Sequence, residues 1–180
     1  MLKKSPFYSA LLSLAIPIML QNLLGSSLSF IDTLMIGQLG SNSIAAVGIA
    51  NQVFFLVNLF AFGIASGASV FLARYFGAKN YFQMQKITAF GIFITFIGGS
   101  LWAIASLFFP EQIMLIFTTD ENVIQIGVTY QQIVALSYIF FAITQTLSIG
   151  FRSIGKASIP LAATAASLTI NAIGNYVLIF

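Results

Sequence analysis

Residues 25–37, with the sequence GSSLSFIDTLMIG, decide the fold of this chain, because they place one carboxylate, Asp32, among apolar and small residues. The stretch closes a longer run, from about Ala10 to Gly37, that holds no other charge. A helix rises about 1.5 Å per residue, so about twenty mostly apolar residues cross the ~30 Å of hydrocarbon in a membrane. The run therefore predicts a transmembrane helix that carries an acid in its outer part.

The composition of the whole chain agrees with a lipid environment. Seven Lys or Arg and four Asp or Glu occur among 180 residues, so 6% of the residues are charged, whereas soluble domains carry roughly 25%. So few charges cannot cover a water-soluble fold of this size, which excludes that class of protein. The sequence also contains no His and no Cys. Metal sites built on imidazole or thiolate, catalysis by Cys or His, and disulfides are therefore excluded.

Four further uncharged, mostly apolar runs follow the first one, separated by short segments with turn residues. Together the runs predict an all-α membrane protein with five transmembrane helices, at about residues 10–37, 44–73, 87–109, 123–150 and 159–180. Several runs are longer than the hydrocarbon requires, which implies tilted helices or helix ends that project among the headgroups.

The charged residues predict the orientation of these spans. If the spans alternate in direction, all seven basic residues fall on one side, and Glu111, Asp120 and Glu121 fall on the other. Because Lys and Arg near span ends are retained in the cytoplasm, we expect a cytoplasmic N-terminus. The net charge of +3 then reflects membrane anchors, and no nucleic-acid partner is predicted. The basic residues are Lys3, Lys4, Arg74, Lys79, Lys86, Arg152 and Lys156.

Asp32 is the one charged residue that falls inside a predicted span. A carboxylate at mid-membrane costs roughly 2.5–3.5 kcal/mol on insertion scales, so we expect it to face the bundle interior or water and to be functional. The alternative is a hydrated residue near the helix end. At 100° per residue, a stripe ~120° wide unites Asp32 with small and polar residues, which suits a wet cavity but also ordinary helix packing. Its other members are Asn22, Gly25, Ser26, Ser29 and Thr33.

The fifth span has a polar face of the same kind, for which a cavity role and interhelical hydrogen bonding stay equally open. Its members are Thr164, Ser167, Asn171, Gly174 and Asn175. Two shorter rows of polar residues lie along the second and fourth spans, at Asn51 and Asn58 and at Gln131, Tyr138 and Gln145. For these residues a role in helix packing is favoured over a cavity role. One side of the third span, with Thr88, Gly91, Thr95, Gly98 and Trp102, forms a groove of small residues, which predicts close approach of a neighbouring helix.

Several segments, taken in order, resemble the multidrug and toxic compound extrusion (MATE) transporters. They are Ile16-Pro17, FIDTLMIG at residues 30–37, AAVG at 45–48, ARYFGAKN at 73–80, FRSIGK at 151–156 with Pro160, and Asn171 with YVLIF at 176–180. No single segment is diagnostic, but their order and spacing together cover the whole chain.

This resemblance implies a secondary antiporter that exports organic cations and drugs in exchange for Na⁺ or H⁺. Such transporters have twelve helices in two six-helix lobes, so the five spans would form most of the amino-terminal lobe, residues 1–180. The chain would then be a fragment that needs the remainder of the transporter, because alternating access requires both lobes. We expect a multi-pass protein of a bacterial plasma membrane with organic cations and membrane lipid as partners. No cofactor is expected beyond the coupling ion.

The resemblance also implies the site. Asp32 and Asn171 match the polar cluster of the family's amino-terminal lobe, and Asn175 stands where many members carry an aspartate, so one carboxylate is missing here. These three residues would bind the cation, with Na⁺ held at Asp32 and Asn171, while Asn22, Ser29, Thr164 and Ser167 would line the cavity. Burial disfavours the charged form of Asp32, so protonation would compete with cation binding.

Other functions are open alternatives. A flippase for lipid-linked saccharides could share a two-lobe architecture, and a passive channel would need no coupling. An enzyme is not expected, because Asp32 has no second catalytic group in the spans.

Overall fold

The computed structural model describes residues 6–179, and it describes the side chains of residues 8, 9 and 11–171. Throughout this part the chain folds into helices and turns without a strand, as the sequence predicts. The helices are α1 (Pro6–Gly37), α2 (Ser41–Gly77), α3 (Tyr81–Phe108), α4 (Pro110–Leu115), α5 (Glu121–Val134), α6 (Ser137–Ser153) and α7 (Ser158–Ile179).

The lengths of these helices fit a membrane protein. Within the described residues, α1, α2 and α3 are each long and apolar enough to cross a bilayer, and α5 with α6 adds a fourth crossing if the bent pair counts as one span. Helix α7 has 22 residues and covers the fifth predicted span, but the side chains of its last residues lie outside the described part. A fifth crossing, and with it the lobe assignment, therefore stays a prediction.

The fourth predicted span, residues 123–150, consists of two helices rather than one straight helix. Helix α5 ends at Val134 and α6 begins at Ser137, with a bend of 55° between them. The Ser137 hydroxyl donates a hydrogen bond of 2.6 Å to the Val134 carbonyl, while the Tyr138 N–H bonds to the Ala135 carbonyl at 3.2 Å. This tighter three-residue bond replaces the normal helical one, and a serine hydroxyl that takes a backbone carbonyl favours bending. No Pro or Gly marks the break.

The bundle core is formed by α2, α3, α5 and α6. Val53, Val57 and Tyr138 make its central cluster, with Trp102 and Phe141 packed against it. The predicted groove of small residues in α3 is confirmed for Gly91, Thr95 and Gly98, which are buried. At Gly99 the backbones come closest: an added Cβ would lie 3.0 Å from the Ile139 Cα and 3.1 Å from the Tyr138 carbonyl oxygen.

The loop predicted between the third and fourth spans contains the short helix α4. Pro110 starts it, where a missing N–H costs nothing. Its buried Met114 fills the space left by Gly127, because an added Cβ at Gly127 would overlap the Met114 side chain. Asp120 then caps α5 by accepting hydrogen bonds from the N–H groups of Asn122 (2.9 Å) and Val123 (3.4 Å).

Helices α1 and α7 pack chiefly against each other at the side of this bundle. No residue of the apolar window in α1 is buried within the described chain. Large apolar side chains such as Met19, Leu23 and Phe30 are instead exposed, at 68%, 63% and 65%. In a membrane protein such a face meets lipid or another transmembrane element.

We predict that replacing Gly99 with leucine lowers the free energy of unfolding by about 1–3 kcal/mol, because the new side chain would press against the backbone of α6. The matched control is Gly63→Leu in α2, where an added Cβ has no neighbour within 4 Å. Thermal unfolding of the two purified variants in detergent measures the difference. Equal stability of both variants would show that the α3–α6 contact is looser than described.

Candidate functional site

A chain of hydrogen bonds ties α1 and α7 to the end of α6. The Arg152 guanidinium donates through Nη2 to the Gln21 side-chain oxygen at 2.7 Å, and Gln21 donates through Nε2 to the Thr164 hydroxyl at 2.8 Å. The three side chains are half-buried, and the Nε of Arg152 is buried without a hydrogen-bond partner. Arg152, predicted as a membrane anchor, therefore turns into the protein, and Gln21 was not singled out by the sequence.

This contact fixes how the two polar helix faces meet. If successive spans alternate in direction, as the sequence predicts, helices α1 and α7 run in the same direction. Asp32 follows Gln21 by eleven residues, which is about 16 Å along the axis and about 20° around it. Asn175 follows Thr164 by the same eleven residues, and Asn171 follows it by seven, about 10 Å along the axis.

With this predicted direction, the helical rise puts Asp32 level with position 175 along the axis and about one turn beyond Asn171. We call this place the α1–α7 seam; it consists of Asp32, Asn171 and position 175, beyond the Gln21–Thr164 bond. The side chain of Asn175 lies outside the described residues. Asn171 is exposed and has an interaction of its own.

Tyr130 of α5 is a further residue near Asp32. The half-buried Asp32 acts electrostatically on the phenol of Tyr130, which is half-buried as well. Sequence reasoning missed Tyr130. The available signal was depth, since Tyr130 lies in the outer half of the fourth predicted span and Asp32 in the outer part of the first.

Beside Tyr130 lies a cavity of about 200 Å³ at the break between α5 and α6. Its lining is Ala50, Asn51, Phe54, Tyr130, Val134, Ser137 and Tyr138. Asn51, for which packing was favoured, is exposed and lines this cavity.

The packing interpretation is correct for three other amides. Gln145 donates to the Asn58 side-chain oxygen at 3.3 Å, and Gln131 donates to the Ser106 hydroxyl at 3.2 Å. The Gln131 side-chain oxygen and the Tyr138 hydroxyl, however, are buried without a hydrogen-bond partner. Among the described residues, two of the buried polar atoms that lack a hydrogen-bond partner therefore lie near the break in the fourth span, beside the cavity that Tyr130 lines.

The other predicted cavity residues lie in more exposed positions or bond within one helix pair. Asn22, Ser29 and Ser167 are exposed along the open sides of α1 and α7. The Ser29 hydroxyl donates to the Gly25 carbonyl of its own helix at 3.1 Å. The Thr164 hydroxyl accepts a hydrogen bond from Gln21. This contact supports interhelical hydrogen bonding, rather than a cavity role, for the polar face of the fifth span at this residue. The structure therefore brings Thr164 to α1 but does not enclose Asn22, Ser29 or Ser167.

The seam offers oxygen atoms and a single carboxylate. Among the described residues, no group of three His, Cys, Asp or Glu could hold a metal ion. One carboxylate with amide and hydroxyl oxygens is a weak, hard-oxygen ligand set, which suits an exchangeable cation rather than a tightly held metal.

We predict that cysteines replacing Gln21 and Thr164 form a cross-link with a short bifunctional reagent, because the native side chains are in hydrogen-bonding contact. The control pair replaces Asn22 and Thr164, since Asn22 is turned about 100° from Gln21 around α1. The sequence contains no other cysteine that could compete. Mass spectrometry measures the cross-linking yield of each pair. Equal yields would contradict the described register of α1 against α7.

Comparisons with known proteins give the chain a family. The sequence model of the MatE family matches residues 17–177. A probable multidrug resistance protein, YoeA of Bacillus subtilis, is 29% identical over 87% of this chain and 34% of its own length. The multidrug export protein MepA of Staphylococcus haemolyticus is 26% identical over 99% of this chain and 40% of its own length. The probable multidrug resistance protein NorM of Rhizobium meliloti is 28% identical over 96% and 37%.

The fold also has a counterpart among solved structures. A MOP superfamily transporter from Pyrococcus furiosus superposes with a TM-score of 0.82 at 20% identity, covering 94% of this chain and 38% of that chain. The chain thus spans between about a third and two fifths of the length of these relatives. The curated relatives are transporters rather than enzymes, as expected from the sequence. Because the family match extends over residues 17–177, the chain belongs to the MatE family of multi-pass membrane transporters.

Proposed function

We propose that the chain forms most of the amino-terminal lobe of a secondary antiporter that exports organic cations, including drugs, in exchange for Na⁺ or H⁺. The observation that carries the proposal is the position of Asp32, which is half-buried in α1 and acts electrostatically on Tyr130 of α5. The names of the MepA and NorM relatives, which refer to multidrug export and resistance, support the class of substrate.

The proposed chemistry follows from one negative charge in surroundings of low dielectric constant. The attraction between a carboxylate and a cation is several times stronger there than in water, so the deprotonated Asp32 binds an organic cation or Na⁺. Asn171, and Asn175 at the same level as Asp32, would supply amide oxygens to the bound ion. Protonation of Asp32, or its occupation by Na⁺, removes the charge available to the substrate and releases it.

Transport also requires that the site be reached from both sides of the membrane in turn. In transporters with repeated lobes, one lobe rocks against the other around a central site. We therefore propose that this chain acts together with the remainder of a transporter, which would meet the exposed faces of α1 and α7. Asn22, Ser29 and Ser167 lie on those faces and would line the resulting cavity.

We place the protein in the plasma membrane of a bacterium with the N-terminus in the cytoplasm. This orientation is supported by the seven basic residues, which all fall at one end of the spans if the spans alternate in direction. The alternative function, a flippase for lipid-linked saccharides, has less support, because the names of the relatives refer to drug export or resistance.

The proposed role predicts that Asp32→Asn abolishes export of a cationic dye and resistance to cationic drugs, because the neutral amide cannot attract the substrate. The assay uses cells that produce the protein as encoded, with any sequence that follows Phe180. Glu111→Gln is the control, since it removes an exposed carboxylate outside the predicted spans. If cells that express Asp32→Asn at the same level remain resistant, the proposal is contradicted.

Tyr130→Phe provides a graded test of the same site, because it removes the hydroxyl group while leaving the ring in place. We propose that this hydroxyl donates a hydrogen bond to the Asp32 carboxylate during transport, so export should fall by about tenfold, the loss typical of one hydrogen bond to a charged group. Dye efflux in membrane vesicles is measured with an imposed Na⁺ gradient and, separately, with an imposed proton gradient. A rate of dye efflux that does not change with either gradient would contradict antiport and favour a passive channel.

A further inference from the structure

Arg152, whose side chain bonds to α1, stands on a firmly held part of the backbone. Helix α6 ends after it in a Schellman motif: the N–H of Gly155 bonds to the Arg152 carbonyl at 3.1 Å, and the N–H of Lys156 bonds to the Phe151 carbonyl at 2.9 Å. Gly155 has the positive φ, 82°, that this ending requires. Because α6 also packs against α2 and α3, the bundle core fixes the position of the Arg152 backbone.

Helix α1, by contrast, lacks the deep packing that would fix its rotation. Its half-buried residues recur every three or four positions, so they lie on one face of the helix. That face carries two polar side chains, Gln21 and Asp32, among apolar and small residues. Within the described chain, none of the residues in the apolar window of α1 is buried. Interlocking of fully buried side chains, which holds packed helices in register, therefore does not hold this part of α1.

Pro17 gives a second reason why residues 21–37 need an anchor of their own. Proline has no N–H and its ring clashes with the carbonyl four residues earlier, so it weakens α1 one turn before Gln21. The first turns of α1 therefore do not rigidly determine where the segment that carries Asp32 lies.

Gln21 provides this anchor, because both ends of its amide group are engaged by other helices. The side-chain oxygen accepts from the Arg152 guanidinium at 2.7 Å, and the side-chain nitrogen donates to the Thr164 hydroxyl at 2.8 Å. A hydrogen bond from a charged donor is roughly twice as strong as one between neutral groups. The bond from Arg152 is thus the stronger of the two, and it ties α1 to the bundle.

The orientation of Asp32 depends on this tie. Asp32 follows Gln21 by eleven residues on the same face of α1, about 16 Å along the axis and about 20° around it. Rotation of α1 by one residue position, about 100°, would turn Asp32 off the face on which it is now half-buried. It would also change the electrostatic effect of Asp32 on Tyr130 of α5.

We propose that Arg152 is a positioning residue of the cation site: through Gln21 it fixes the rotation and depth of α1, and it thereby holds the Asp32 carboxyl group where a cation reaches it. This inference rests on the proposed function and extends it to a residue that does not contact the cation. The two can fail separately, as the variants below show.

The first measurement asks whether α1 moves when the bond is lost. Pairs of spin labels are attached to cysteines in the protein as encoded, with any sequence that follows Phe180 and with any cysteine there replaced. One pair, Leu34→Cys with Ile126→Cys, joins exposed positions of α1 and α5; the other, Phe93→Cys with Phe140→Cys, joins exposed positions of α3 and α6. We expect Arg152→Gln to shift or widen the α1–α5 distance distribution and to leave the α3–α6 distribution unchanged.

The second measurement is equilibrium binding of tetraphenylphosphonium to the same purified proteins. A carboxylate that moves from about 4 Å to about 6 Å from a cation, at an effective dielectric constant of about 20, loses about tenfold in affinity. Arg152→Gln should therefore bind about tenfold more weakly. The exchanged pair Arg152→Gln with Gln21→Arg should regain affinity, because a guanidinium on α1 can donate both to the new amide on α6 and to Thr164. The matched control is Arg74→Gln, which removes the same charge from an exposed residue of α2 and should bind normally.

Asp32→Asn separates the two levels of the account. If Asp32→Asn binds the cation as tightly as the unmodified protein, the proposed function fails, and the positioning role fails with it. If Asp32→Asn loses binding while Arg152→Gln keeps its affinity, only the positioning role is overturned. An equal loss in Arg74→Gln, or a changed α3–α6 distance in Arg152→Gln, would overturn it as well, because either result indicates a general effect. So would an exchanged pair that restores both distances but not the affinity.

Discussion

The hydrocarbon of a membrane offers no hydrogen bonds, and this constraint governs every polar group of the chain. Hydroxyl groups in the helices satisfy it locally: Thr88 and Thr95 each donate to a carbonyl four residues earlier at 2.9 Å. Longer side chains satisfy it between helices, as the Gln21–Thr164 bond does. A carboxylate cannot satisfy this constraint against the carbonyls of its own helix, because it only accepts hydrogen bonds and carbonyls do not donate them. Asp32 therefore depends on neighbouring donors or on a bound cation.

The sequence predicts the helices well because a membrane span is recognised from the length and composition of one continuous segment. Apolar length and the absence of charge locate α1, α2 and α3, and each helix then continues some residues beyond the apolar run. The break at Ala135 escapes such reasoning. It depends on the Ser137 hydroxyl taking a carbonyl of its own helix and on the contact of Gly99 with the backbone after the break. Neither depends on hydrophobicity.

The candidate site is predictable only in part, for a related reason. Asp32 stands out because it is the one charge in a predicted span. Asn171 was reached through the family resemblance, and its level relative to Asp32 follows from the Gln21–Thr164 contact. Tyr130 and Arg152 required the three-dimensional arrangement. A tyrosine in an apolar helix is common, and the sequence does not show that an arginine at a helix end turns inward to a glutamine of α1.

The central claim is that the Asp32 carboxyl group itself binds the transported cation and the coupling ion. Infrared difference spectroscopy of the purified protein tests this directly, by recording carboxyl stretching bands when an organic cation or Na⁺ is added. The account predicts a cation-dependent change of one carboxyl group that disappears in Asp32→Asn and persists in Glu111→Gln. Spectra that do not respond to either cation, or that respond equally in Asp32→Asn, would contradict it.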